Sequence, residues 1–205
     1  MKNASKHADE LKALCKRLVR EHKPEPRAPQ DPLKTFVRAA MSFDVSDTRA
    51  DEIMRLIDRE FVDLNELRVA TDLEIQEMLG QRYPAIERRV AMITQSLNRI
   101  FEREHTLSLD RLKGIPKKEA RQFLRELPEA HPFVEAYVIL FAFDGSAFPV
   151  DDETMAFLRE HNVVDGETSL EDAQKFIEHH LKAEECRDFF IALRHHMTEK
   201  TKKKK

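Results

Sequence analysis

Apolar positions recur along the chain with the three-to-four-residue period of helices, and no period-2 stretch is long enough to read as a strand. Leu11, Leu14, Cys15, Leu18 and Val19 form one stripe within the first 23 residues. Pro24, Pro26 and Pro29 end that helix and make a stiff linker. Pro32 suits the start of a second helix, on which Leu33, Phe36, Val37, Ala40 and Met41 share a face. Ser46 or Asp47 can cap a third, with Ile53, Met54, Leu56, Ile57 and Phe61 turned inward. Thr71 and Glu74 fit a capping box for a short helix ending near Gly80. A longer helix over residues 84–104 carries Ile86, Val90, Ile93, Leu97, Ile100 and Phe101. One turn over residues 108–112 stops at Gly114, and a short helix covers residues 117–126. Residues 133–143 predict a strongly apolar helix, followed by a turn at Asp144, Gly145 and Ser146 and a lone acid, Asp151. Helices over residues 152–160, 169–180 and 183–197 complete the pattern, with a second capping-box candidate running from Thr168 to Glu171. The predicted fold is all-α, with about ten helices.

Composition agrees with that pattern. Among 205 residues there are only four glycines and no tryptophan, and the chain is 41% hydrophobic and 36% charged, the balance of a core-forming helical protein. No apolar run approaches the length of a membrane span and the N-terminus is polar, so a cytoplasmic protein with no membrane partner is expected. Cys15 and Cys186 stand far apart and read as free thiols. The net charge of −3 is unevenly spread. Residues 84–126 carry ten Lys/Arg against six Asp/Glu, a local +4, whereas residues 127–185 carry three against fourteen, a local −11. The last twenty carry seven against two and end in a basic tail, residues 198–205. The two basic segments favour nucleic acid and the acidic one opposes it.

Little in the chain has the spacing of catalytic or metal chemistry. Phosphate loops, paired CxxC motifs, HExxH and Ser-His-Asp patterns are all missing from the sequence. His179-His180 and His195-His196 lack a carboxylate or cysteine at ligand spacing, so no metal site is expected there. Asp151, followed by Asp152 and Glu153, has two possible uses. One of these acids can cap the helix that begins there. A carboxylate held beside a cleft can instead stabilise a developing cation or activate water.

Four segments, in order and in register, carry a resemblance. They are residues 31–47, residues 109–127, the stretch from Leu127-Pro128 to Asp151, and Leu193-Arg194-His195. Over residues 31–197 the chain resembles the helix-hairpin-helix DNA glycosylases of the endonuclease III type. The resemblance implies a two-lobed helical fold. Residues 32–145 would form the lobe containing the hairpin, and residues 1–31 with 146–205 the other, as a monomer. It also implies a DNA-repair role on double-stranded DNA, with nucleoid association if DNA is bound.

The same resemblance defines the candidate site. The family hairpin reads Leu-Pro-Gly-Val-Gly-Pro-Lys-Thr-Ala. Here Glu129, Ala130 and His131 stand at its Gly-Val-Gly, and Phe133 stands where the Schiff-base lysine belongs. Lys117 and Lys118 lie one helix too early to replace it. Asp151 matches the aspartate that supports loss of the base, and Phe43 stands at the residue that plugs the gap left by an extruded base, a gap an aromatic can fill by stacking. Cluster cysteines after His195 are missing, so no iron–sulfur cofactor is expected. Glu129 would oppose a phosphate by about 1–4 kcal/mol at ~4 Å, which weakens DNA binding. Two expectations follow: a monofunctional N-glycosylase without Schiff-base lyase activity that uses Asp151, or a catalytically inactive protein of this fold kept for weak DNA or protein binding. For the first, Asp151→Asn should remove base release and leave helicity unchanged.

Overall fold

The computed structural model describes residues 4–25 and 29–203. Pro26 of the linker and Lys204 and Lys205 of the tail lie outside the described residues. Among the described residues the secondary structure is entirely helical. In chain order the helices are α1 (Ala4–His22), α2 (Pro32–Ser42), α3 (Asp47–Glu60), α4 (Leu64–Val69), α5 (Asp72–Leu79) and α6 (Ile86–Glu104). A 3₁₀ turn (Asp110–Gly114) leads to α7 (Lys117–Arg125), α8 (Pro132–Ala142), α9 (Asp152–Glu160), α10 (Leu170–His180) and α11 (Ala183–Lys203).

Local chemistry sets most boundaries. Asp31 caps α2 by accepting from Lys34 N, with Pro32 in the first turn. Thr71 and Glu74 form the reciprocal capping box of α5. Three expectations shift. The cap of α10 is Ser169, which accepts from Asp172 N, so the box expected from Thr168 to Glu171 does not form. Helix α4 was not expected; its six residues are too few for a clear stripe, and Asp63 caps it through Asn65 N and Glu66 N. Phe101, expected inside, is 41% exposed, with the Arg68 guanidinium 4.5 Å from its ring centroid.

Helix α8 is the spine. Every residue from Phe133 to Ala142 is buried, as a helix apolar on all sides but for Glu135 requires. It packs on α2, α7 and α11, while α1 lies along α11, and one continuous hydrophobic cluster draws on both halves of the chain. Gly145 closes α8 by donating its N–H to the Ile139 carbonyl (2.8 Å). A Cβ there would overlap Ile139 Cγ2 and sit 3.1 Å from the Ile139 carbonyl oxygen, so only glycine fits. The buried extended segment Ala147, Phe148, Pro149 and Val150 then delivers Asp151 to the start of α9.

Candidate functional site

Asp151 has extended backbone (φ −114°, ψ 179°) and is the N-cap of α9, its Oδ1 accepting from Thr154 N at 2.8 Å. Its Oδ2 accepts from Asp44 N (2.9 Å) and from Arg194 Nη1 (3.1 Å). The side chain is 0% exposed. The first expected use, capping a helix, is therefore met, and the same carboxylate ties α9 to two other parts of the chain. Arg194, on α11 and equally buried, extends the clasp. It donates to Asp47 Oδ1 (3.1 Å) and to the carbonyls of Ser42 and Val45. Burial alone would lower its pKa, but Asp47 and Asp151 outweigh that and raise it.

Asp44 completes a reciprocal pair. Its backbone is left-handed (φ 52°), and its Oδ1 accepts from Asp152 N (2.9 Å) and Glu153 N (3.4 Å) while its own N–H serves Asp151. Burial and then the neighbouring Asp151 raise the Asp44 carboxyl above its ordinary value. Burial raises Glu153 as well.

Phe43 lies inside, 3% exposed. It is stacked flat on His131 (centroids 4.4 Å, planes 4° apart), with the Arg89 guanidinium 3.6 Å from its ring centroid. This Arg89–Phe43–His131 sandwich occupies the wedge expected to enter DNA, so in this conformation Phe43 meets protein on both faces. Arg89 is buried, has no carboxylate partner among the described residues, and donates instead to the carbonyls of Pro84 (2.7 Å), Ala40 (2.6 Å) and Phe43. Burial lowers it to about 10, so it is cationic at neutral pH. Phe133, where the resemblance leads one to expect a lysine, is 0% exposed and packs against Phe43, Tyr137 and Phe190.

The hairpin turn is closed by Ala130 N to Leu127 O (3.2 Å), with Pro128 second and Glu129 third at φ 54°. That is a type II arrangement, whose third position normally needs glycine. Glu129 holds the glycine conformation with an exposed carboxylate 3.9 Å from Arg88. Among the described residues, the N–H groups of Glu129 and His131 have no hydrogen-bonding acceptor. His131 caps α8 by accepting from Phe133 N at its Nδ1 (3.2 Å). Burial, with Arg88 adding to it, pushes the imidazole down to about 4. Ala130, His131 and Pro132 edge a cavity of about 270 Å³ whose wall includes Arg121, Arg125 and buried Glu135. A second cavity, of about 520 Å³, is bounded by Ser46, Glu153, Phe157, Arg194 and Met197, and Asp151 does not line it.

No protein-family description matches the sequence, and no curated protein does. Solved structures match the fold. The 8-oxoguanine glycosylase/lyase of Clostridium acetobutylicum, in complex with double-stranded DNA containing cytosine opposite 8-oxoG, superposes with a TM-score of 0.73 at 18% identity, over 96% of this chain and 71% of that one. A non-covalent endonuclease III–DNA complex gives 0.72 at 11% identity, over 91% and 84%. The fold is that of the helix-hairpin-helix DNA glycosylases. A thermostable thymine-DNA glycosylase, at 0.62 and 15% identity over 90% and 84%, agrees.

Within that glycosylase fold, the structure brings Phe43, His131 and Phe133 into one buried stack and leaves Glu129 on the surface. Asp151 sits one loop away, joined to the stack through Phe43 and Asp44. Sequence reasoning missed Asp44 and Arg89 and gave Arg194 no role. A single arginine closing the apolar run Phe189-Phe190-Ile191-Ala192-Leu193 was the available signal, because a cation there must find buried partners. Arg89 was hidden by its neighbour Arg88, since adjacent helical residues point about 100° apart.

Proposed function

We propose that this chain is a DNA-directed protein of the repair-glycosylase type that engages duplex through its hairpin turn and does not itself excise a base. The observation that carries the second half is the ligation of Asp151. A carboxylate with no exposure, held by two backbone N–H groups and a buried arginine, presents no solvent-accessible oxygen to a sugar ring. Reaching a substrate would break a buried ion pair, a step on the order of 3–5 kcal/mol. DNA contact is supported by the turn. It keeps the glycine-type backbone at Glu129, unused N–H groups at Glu129 and His131, and Arg88 beside the carboxylate. The solved structures of similar fold include complexes with DNA.

Electrophoretic retention of abasic-site and mismatched duplexes at low salt tests the binding. Micromolar protein should retain them weakly. Glu129→Gly should tighten retention by roughly one to three decades, because it removes about 1–4 kcal/mol of repulsion. The same change should stabilise the fold by about 1 kcal/mol by relieving the left-handed backbone. No retention by either protein would overturn the DNA-directed role.

A monofunctional N-glycosylase is the second reading, and Asp44 favours it. Its carboxyl is partly exposed, raised in pKa and linked to Asp151. It is the member of that pair which solvent reaches.

A further inference from the structure

The expectation that the paired histidines hold no metal rested on spacing along a single helix. His179 is exposed, and His180 Nδ1 is engaged by the Phe176 carbonyl at 2.8 Å. His196 is different, because the fold sets the last turn of α1 against α11. His22 Nε2 lies 3.1 Å from His196 Nδ1, and Glu21 Oε1 lies 3.9 Å from the first and 3.8 Å from the second. The three ligand atoms therefore converge from two helices. We propose that Glu21, His22 and His196 form a site for a divalent transition metal, best suited to Zn²⁺, that staples the end of α1 to α11.

The geometry is close to what zinc needs. A tetrahedral ion with bonds of about 2.0–2.1 Å sets its ligand atoms roughly 3.3 Å apart. Of the present edges, the 3.1 Å His–His one is about 0.2 Å shorter than that and the two to Glu21, 3.9 and 3.8 Å, are about half an ångström longer, within reach of small side-chain rotations. Two imidazoles and one carboxylate suit zinc and leave a fourth position for water. The His22 side chain is 6% exposed and that of His196 17%, so both rings are held in place, while half-exposed Glu21 can swing in. As the rings stand, one of the two facing nitrogens must carry a proton to bridge the 3.1 Å gap. On metal binding that proton moves through solvent to the other nitrogen of the same ring, and both neutral imidazoles present a lone pair. Lys200 and Arg17 oppose a cation here. Lys200 is drawn toward Glu160 (3.6 Å), and Glu21 offsets one charge.

The staple would fix the helix that carries Arg194, two residues before His196. Cobalt(II) tests it, because tetrahedral coordination gives visible d–d absorption that Zn²⁺ abolishes on displacing the ion. The full chain should bind one Co²⁺ with such bands, and Zn²⁺ should raise its melting temperature in a manner reversed by EDTA. Both His22→Ala and His196→Ala, with helical circular dichroism intact, should lose the bands, and exposed His195→Ala should keep them. Glu21→Gln, at a surface carboxylate whose loss leaves the core untouched, should weaken Co²⁺ by more than the roughly 10–100-fold that an outer-shell change costs. Absence of the bands in the unmodified chain would overturn the site. So would bands that survive either histidine substitution, or an unchanged affinity in Glu21→Gln.

Discussion

Arg194 spends its guanidinium on four acceptors from two places in the sequence: Ser42, Val45 and Asp47 in one stretch, and Asp151 in the other. A buried cation this well ligated fixes whatever it touches, and what it touches includes Asp151, the acid that the sequence resemblance marks as the candidate. Asp151→Asn is therefore first a stability change. The amide can still cap α9, but it leaves Arg194 without one of its two charge partners. The variant should lose about 3 kcal/mol in chemical denaturation, at the lower end of the cost of breaking a buried pair. A loss below about 0.5 kcal/mol, the usual scale of a surface change, would show that the clasp is not structural. The expectation that this substitution leaves the fold indifferent came from seeing Asp151 without Arg194. In the sequence the two stand 43 positions apart. Nothing in the local pattern around Asp151 says that an arginine about three helical turns into α11, at the end of its apolar run, faces it.

At the scale of elements, the helices were legible because each depends on neighbours in sequence: Asp31 and Pro32 start α2, Thr71 and Glu74 start α5, and apolar residues fill α8 apart from Glu135. The hairpin was legible in part. Its Leu127-Pro128 opening and its turn survive, while the burial of Phe43 and Phe133 arises from packing between α2, α8 and α11 that no local period encodes. His131 reports on that packing. It is stacked on Phe43 and bonded at Nδ1, so the native state holds it neutral, near pKa 4 against an ordinary 6.5. Between those values the unfolded chain binds the proton more readily than the native one. The contribution of His131 is thus complete above about pH 6.5 and is lost progressively as pH falls toward 4. Following its imidazole resonances by NMR across this range should show no titration until close to pH 4. A midpoint near 6.5 would mean that the ring is free in solution and the stack open.

For the whole molecule, the charge blocks that stand apart in the sequence meet in space. The acidic segment finds its partners in the basic segments on either side: Glu135 with Arg121 (3.3 Å) and Arg125 (2.9 Å), Glu178 with Arg121 (3.1 Å), Asp144 with Arg187, and Asp151 with Arg194 (3.1 Å). Much of the local −11 is internal neutralisation, so it repels DNA less than the linear count suggests. Cys15 and Cys186 are buried free thiols raised to about 11 and about 12, chiefly by burial, so they stay protonated and inert. Among the described residues no helix is long and apolar enough to cross a membrane. What the molecule presents is a glycosylase fold whose turn carries an exposed Glu129 and whose Asp151 is buried. The most direct measurement is single-turnover base release from duplexes carrying oxidised, deaminated, alkylated and mismatched bases, run with excess protein at low salt. Release should be no faster than in protein-free controls, with the Asp151→Asn variant indistinguishable from the unmodified chain. Release by the unmodified chain that Asp151→Asn abolishes would contradict this expectation.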